Sequence, residues 1–207
     1  MAMARLNQAL TATEAGVVTG VPLKQVHRII DAGLLDGRVE TRKGGRVIVG
    51  SGLLGLRLAY VTAEILTLEA RRRVIGSVLR EPQTTLVRDR AVTVELRPIE
   101  AEVEQGLGTL DRARAMVTID KAVLGGTPCI GGTRVLVHDI ADMLANGDSA
   151  VAILKAWPQL TADQVELAAV YAAAYPRRGR PRRTPAWRKA SPKFSRSLRL
   201  DELPSAS

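Results

Sequence analysis

Cysteine occurs once in this sequence, at Cys129, so neither an internal disulfide nor a four-cysteine zinc site can form. A chain that uses no disulfide suits a reducing compartment, and a cytoplasmic location is expected. Aromatic residues number six in 207, too few for the stacked platforms on which single-stranded nucleic acids are bound. The two histidines, His27 and His138, have no ligand spacing, and no second cysteine stands near Cys129; no metal or cofactor is expected. Long apolar runs are missing as well. Gly52 to Leu68 is broken by Arg57 and Glu64, and no apolar core follows the first basic residue, so neither a membrane span nor a signal peptide is expected.

What the sequence does have is basic charge, unevenly placed. The net charge is +9, and residues 176–207 hold ten Lys or Arg against Asp201 and Glu202 alone, which puts +8 in the last 32 residues. The remainder is nearly neutral. Local basic patches and a tail with a task of its own are therefore expected, rather than a body that coats nucleic acid indiscriminately.

Thr11-Ala12-Thr13-Glu14 has capping-box spacing and opens a short helix that Gly20 stops. Pro22 suits the first turn of a second helix. There Leu23, Val26, Ile29 and Ile30 form an apolar face, and Lys24, Gln25, His27 and Arg28 a polar one. Arg38 to Val49 reads as a hairpin with a basic tip around Thr41 to Arg46. Helix, turn, helix, hairpin is the order of a winged helix-turn-helix. Ser51 to Arg80 is helical in pattern up to Pro82, Ala91 to Arg97 alternates like a strand, and Ile99, Val103, Leu107 and Leu110 mark an amphipathic helix that ends near Ala115.

Val117 to Asp120 then leads into GGTPCIGGTRV, residues 125–135, whose glycine pairs call for a tight hairpin with positive φ. Three helices follow, over about 137–146, 149–157 and 161–175, the last with a Thr161–Gln164 capping box. Beyond Pro176 apolar anchors are few, Trp187, Phe194, Leu198 and Leu200 among them, so the tail is expected to stay extended or disordered until bound. The expected fold is α+β and mainly α. It divides into a winged helix-turn-helix over 1–80, a strand-helix connector serving dimerisation over 81–116, a hairpin with three helices over 117–176, and a basic tail over 177–207.

Several ordered motifs carry a family resemblance: Asp120, GGTPCIGGTRV, Val137-His138, Asn146-Gly147-Asp148, and Trp157-Pro158-Gln159-Leu160-Thr161. Over these roughly sixty residues the chain resembles the family known as domain of unknown function 433; Gly131 departs from it, because relatives more often carry a basic or polar residue there. The stretch LTATEAGVVTGVPLKQVHRIIDAGLL separately resembles the helix-turn-helix of MerR-like and excisionase-like proteins. The first resemblance implies an antitoxin paired with a PIN-like ribonuclease toxin, as in VapBC-like systems.

A helix lying in the major groove needs polar side chains on one face and apolar anchors on the other. Lys24, Gln25, His27 and Arg28 are the candidate base or phosphate contacts, with Arg42, Lys43 and Arg46 at the hairpin tip; the alternative is the solvated face of an ordinary small helix. In the tail, Arg177, Arg178, Arg180, Arg182 and Arg183 can pair with the metal-binding carboxylates of a nuclease, with Trp187 and Phe194 as pocket anchors. The same tail can otherwise cling to nucleic acid.

GGTPCIGGTRV lacks the Gly-Lys-Ser/Thr ending of a phosphate-binding loop and reads as a structural hairpin, with Arg134 expected to pair with Asp120 or Asp139, the alternative being that it faces nucleic acid. No catalytic residue is identified. The expectation is a non-enzymatic antitoxin that binds operator DNA as a homodimer and a PIN-like ribonuclease as a heterotetramer or larger assembly. A stand-alone MerR-like or excisionase-like transcription regulator is the alternative.

Overall fold

The computed structural model of this chain describes residues 8–81, 84–90 and 92–177. The α+β, mainly helical class read from the sequence holds, with eight α-helices and three small sheets among the described residues. None of these helices is long and apolar enough to cross a membrane. The tail lies outside the described residues apart from Arg177, and with it the candidate partner contacts Arg178, Arg180, Arg182, Arg183, Trp187 and Phe194.

Helix α1, Ala12–Thr19, begins with the expected capping box, in which the Thr11 hydroxyl accepts from the Glu14 amide and the Glu14 carboxylate accepts from the Thr11 amide. It stops at Gly20, whose φ of 65° is left-handed, a conformation costing roughly 1–2 kcal/mol for a residue with a Cβ. Helix α2, Leu23–Asp31, follows Pro22 and buries Val26 and Ile29. Strands β2, Val39–Arg42, and β3, Gly45–Ile48, pair antiparallel with Arg42 opposite Gly45, leaving Lys43 and Gly44 as the turn. A short strand absent from the sequence reading, β1 at Leu10–Thr11, joins the other side of β3 and gives the order β1-β3-β2. Leu10 faces Ile48 there, both fully buried, which ties the chain before α1 to the hairpin.

The helical pattern over 51–80 resolves into two helices, α3 at Gly52–Val61 and α4 at Leu68–Arg80. Threonine chemistry separates them. The Thr62 hydroxyl donates to the Leu58 carbonyl at 2.6 Å as α3 ends, and Thr67 caps α4 by accepting from the Ala70 amide. Strand β4, Leu86–Asp89, which the sequence reading did not foresee, pairs with β5, Val92–Glu95. The expected alternation holds in β5: Val92 and Val94 are half-buried, the residues between them exposed, and Leu96 beyond is fully buried.

Helix α5, Arg97–Met116, starts with Pro98 in its first turn and packs against α1, α3 and the last helix. Its stripe of Val103, Leu107, Leu110 and Ala113 is wholly buried within the chain, so these side chains are not available to a second copy. Strand β6, Val117–Thr118, pairs with β7, Cys129–Ile130, around a 3-10 turn at Leu124–Gly126. Gly125, Gly126 and Gly132 take positive φ as the hairpin requires. Three helices close the described chain: α6 at Val137–Ala145, α7 at Ala150–Ala156, and α8 at Ala162–Ala174, the last with the expected Thr161–Gln164 capping box.

Two apolar clusters result. One runs from Leu10 to Leu110 and includes Ala174; the other runs from Ala113 to Tyr171. Helix α5 is the wall they share, and Tyr175 packs against both. The tightest crossing is that of α1 over α5, where a Cβ on Gly106 would stand 2.0 Å from the Val18 carbonyl oxygen. Gly106→Ala gains up to about 1 kcal/mol of helix propensity but must push two helices apart. A net loss of about 1–3 kcal/mol is expected, measurable as a lower urea midpoint at pH 7.

Candidate nucleic-acid interface

Burial of Val26 and Ile29 turns the opposite face of α2 outward. Lys24 and Arg28, four residues apart, are exposed on it, while Gln25 and His27 are half-buried. Arg42 and Lys43 are exposed at the hairpin tip, and Arg46, opposite Thr41 beside the turn, is half-buried. The fold joins these two groups through one residue missed in the sequence. Asp31, at the end of α2, accepts from Arg46 Nη1 at 2.5 Å, and Arg46 Nη2 lies 3.5 Å from His27 Nδ1. Asp31 and Arg46 are fifteen residues apart, and no local pattern marks such a pair. Arg42, by contrast, is held by Glu40 of its own strand, 2.8 Å away. Exposed pairs of this kind stabilise by at most about 1 kcal/mol, so both set orientation more than stability, and a stronger anion can displace either carboxylate.

Behind this surface lies a polar network centred on Glu14. One carboxylate oxygen closes the capping box, accepting from the Thr11 amide at 2.8 Å and the Thr11 hydroxyl at 2.9 Å. The other accepts from Arg114 Nη2 at 2.9 Å and from the Tyr175 hydroxyl at 2.5 Å. Arg114 also donates to the Tyr175 hydroxyl at 2.6 Å and to Gln8 at 3.1 Å. The backbone carbonyl of Tyr175 bonds His138 Nε2 at 2.8 Å. Helix α1, helix α5 and the end of α8 are thus held on one carboxylate. Burial pushes the Glu14 carboxyl up, but the hydrogen bonds from Tyr175, Thr11 and Arg114 outweigh it and hold the group below its ordinary value of 4.5. The Tyr175 phenol moves the other way, raised by burial and by its bond to Glu14.

Capping-box spacing in the sequence identified Glu14 as a helix cap. Its second role needs Arg114 and Tyr175, 100 and 161 residues away, and has no local signal.

The expected pairing of Arg134 with Asp120 or Asp139 does not occur among the described residues. Asp139 and Asp142, one turn apart on α6, instead bind Arg177, Asp142 at 3.2 Å. Both carboxylates lie on the helix face past which the chain runs after Tyr175, whereas Arg134 is exposed in the turn before α6. Among the described residues, no group of three or more His, Cys, Asp or Glu is placed to hold a metal ion.

Residues 117–172 match the family described as protein of unknown function (DUF433). Over 195 residues the chain is 35% identical to uncharacterized protein y4eO of Sinorhizobium fredii, with 87% of each chain covered. The chain belongs to the same family as y4eO. The similarity to y4eO reaches well beyond the DUF433 segment, so the relative shares much of the N-terminal half as well. No solved structure matches this family member.

Because the Glu14 carboxyl titrates below its ordinary value, its contribution to stability is complete above the unfolded value and is lost as pH falls through the folded one. Urea melts from pH 7 to pH 3 should therefore show an acid-side loss that Glu14→Gln flattens. Tyr175→Phe removes a donor and an acceptor together and is expected to cost about 1–3 kcal/mol at pH 7.

Proposed function

We propose that this protein is the DNA-binding antitoxin of a toxin-antitoxin pair. In this reading α1, α2 and the β2–β3 hairpin work as a winged helix-turn-helix on operator DNA, and the C-terminal region with its tail engages a PIN-like ribonuclease. One observation carries the DNA side: Arg46 of the hairpin reaches Asp31 and His27 of α2, so the exposed face of the helix and the basic hairpin form one continuous surface. Lys24 and Arg28 supply further cation donors on that surface, and Lys43 extends it at the tip. Phosphate oxygens can replace the carboxylates of Asp31 and Glu40 on Arg46 and Arg42, and this frees each guanidinium to make charge-assisted bonds to the backbone.

The partner side rests on the family resemblance and on tail charge. Arg177 is engaged by Asp139 and Asp142, which leaves Arg178, Arg180, Arg182 and Arg183 as the arginines for the partner's acidic site. A two-fold dimer suits operator binding. The buried stripe of α5 makes other surfaces responsible for it.

The DNA reading is checked by fluorescence anisotropy on a duplex from upstream of the protein's own coding region. Lys24→Ala, Arg28→Ala and Arg46→Ala should each lower affinity several-fold and reduce the salt slope by about one phosphate contact. Unchanged slopes in all three would remove α2 from the interface. The antitoxin reading is checked by co-expression with the adjacent open reading frame. A nuclease partner should co-purify with the intact chain and be lost when the chain ends at Tyr175, while DNA affinity is largely kept. If truncation lowers DNA affinity instead and no partner is found, the chain is a stand-alone regulator whose tail grips DNA.

A further inference from the structure

We propose that the cleft between the segment following α2 and the last turns of α4 binds a small phosphorylated ligand. The cleft has a volume of about 840 Å³, within the range of roughly 300–1,000 Å³ typical of small-molecule sites. Three guanidiniums line it, those of Arg38, Arg72 and Arg80, against the single carboxylate of Asp36. The lining therefore carries a net +2. None of the three arginines is in an ion pair among the described residues.

What these arginines do bond leaves most of their capacity unused. Arg38 Nη2 donates to the Leu79 carbonyl at 2.8 Å, and Arg72 Nη2 donates to the Ala32 carbonyl at 3.1 Å. Among the described residues Arg80 reaches only the Ser77 hydroxyl, at 3.5 Å. Each guanidinium has five N–H donors, so these bonds tether the groups and leave further donors for an oxyanion. Backbone carbonyls cannot balance the charge of three cations around one cavity, whereas a phosphate or diphosphate does so and accepts bidentate bonds.

The wall between the arginines is apolar or bare. Leu34 and Leu79 are buried at the floor of the cleft, and a Cβ on Gly37 would meet nothing within 4 Å, so its backbone is open to close approach. Arg72 bonds the residue that caps the C-terminus of α2. A bound phosphate would therefore act next to the end of that helix. The proposal stands whether or not α2 reads DNA.

The test uses the full-length, isotope-labelled chain and inorganic pyrophosphate as probe, at about 0.15 M salt so that weak surface attraction is screened. Saturable amide shifts are expected at Gly33, Gly37 and Gly76, which line the cleft. In the double variant Arg72→Gln/Arg80→Gln, the midpoint should rise about tenfold or more, while Arg134→Gln, an exposed arginine away from the cleft, should leave it unchanged. Arg72 and Arg80 are exposed, so the fold should survive, and unchanged amide positions in α6 and α8 verify that. Shifts confined to residues 178–207, or an unaltered midpoint in the double variant, would overturn the proposal. So would the absence of pyrophosphate shifts together with a shallower salt dependence of duplex binding in the double variant, which assigns these arginines to a nucleic-acid backbone.

Discussion

The carboxylate of Glu14 does two jobs that pull in the same direction. One oxygen closes the N-terminus of α1, and the other collects Arg114 and the Tyr175 hydroxyl. Its charge would be costly in an apolar setting, and donors from three elements make the burial tolerable. The consequence is positional. Helix α1 can sit in only one way on α5, and α8 can end in only one place, because each must deliver its donor to the same group. Gly106 allows α1 and α5 to approach closely enough for this, and the stripe of Val103, Leu107 and Leu110 supplies the apolar area that holds them there.

That constraint ties the helix that carries α2 to the residue at which the last helix ends. Helix α2 is carried by α1 through the left-handed turn at Gly20, and Tyr175 is the last residue of the frame before the basic tail begins. His138 fixes the Tyr175 carbonyl, and Asp139 and Asp142 then take Arg177, so the chain leaves α8 in a defined direction. The end of α8 and helix α1 are thus joined through a short series of hydrogen bonds. Whatever binds beyond Arg177 acts on a chain whose root is tied to the helix that supports α2.

Much of this was legible locally. Both capping boxes, Thr11–Glu14 and Thr161–Gln164, are in place, since their geometry involves residues three apart and little else. The apolar stripe of α5 and the alternation of β5 were equally readable, because burial on one face imposes its period on the sequence. The division of 51–80 into two helices was not, since Leu-rich periodicity runs across the gap and only the hydroxyls of Thr62 and Thr67 decide where backbone bonds end and restart. Strands β1 and β4 were missed for a related reason. The two residues of β1 have no period to detect and Leu86-Val87-Arg88-Asp89 of β4 does not alternate; both strands exist because β3 and β5 present edges to them.

By itself the sequence determined most helix starts and stops outside 51–80, the glycine hairpin, the polar face of α2 and the concentration of positive charge after Pro176, all of which follow from neighbours within a few residues. Tertiary structure alone decided which charges meet: Arg46 with Asp31, Arg114 and Tyr175 with Glu14, Arg177 rather than Arg134 with Asp139, and three arginines around one cleft. The physical reason is that capping and periodicity act through the local backbone, whereas an ion pair depends on distance in space. That distance is set only when the apolar faces of α1, α5 and α8 have closed on each other.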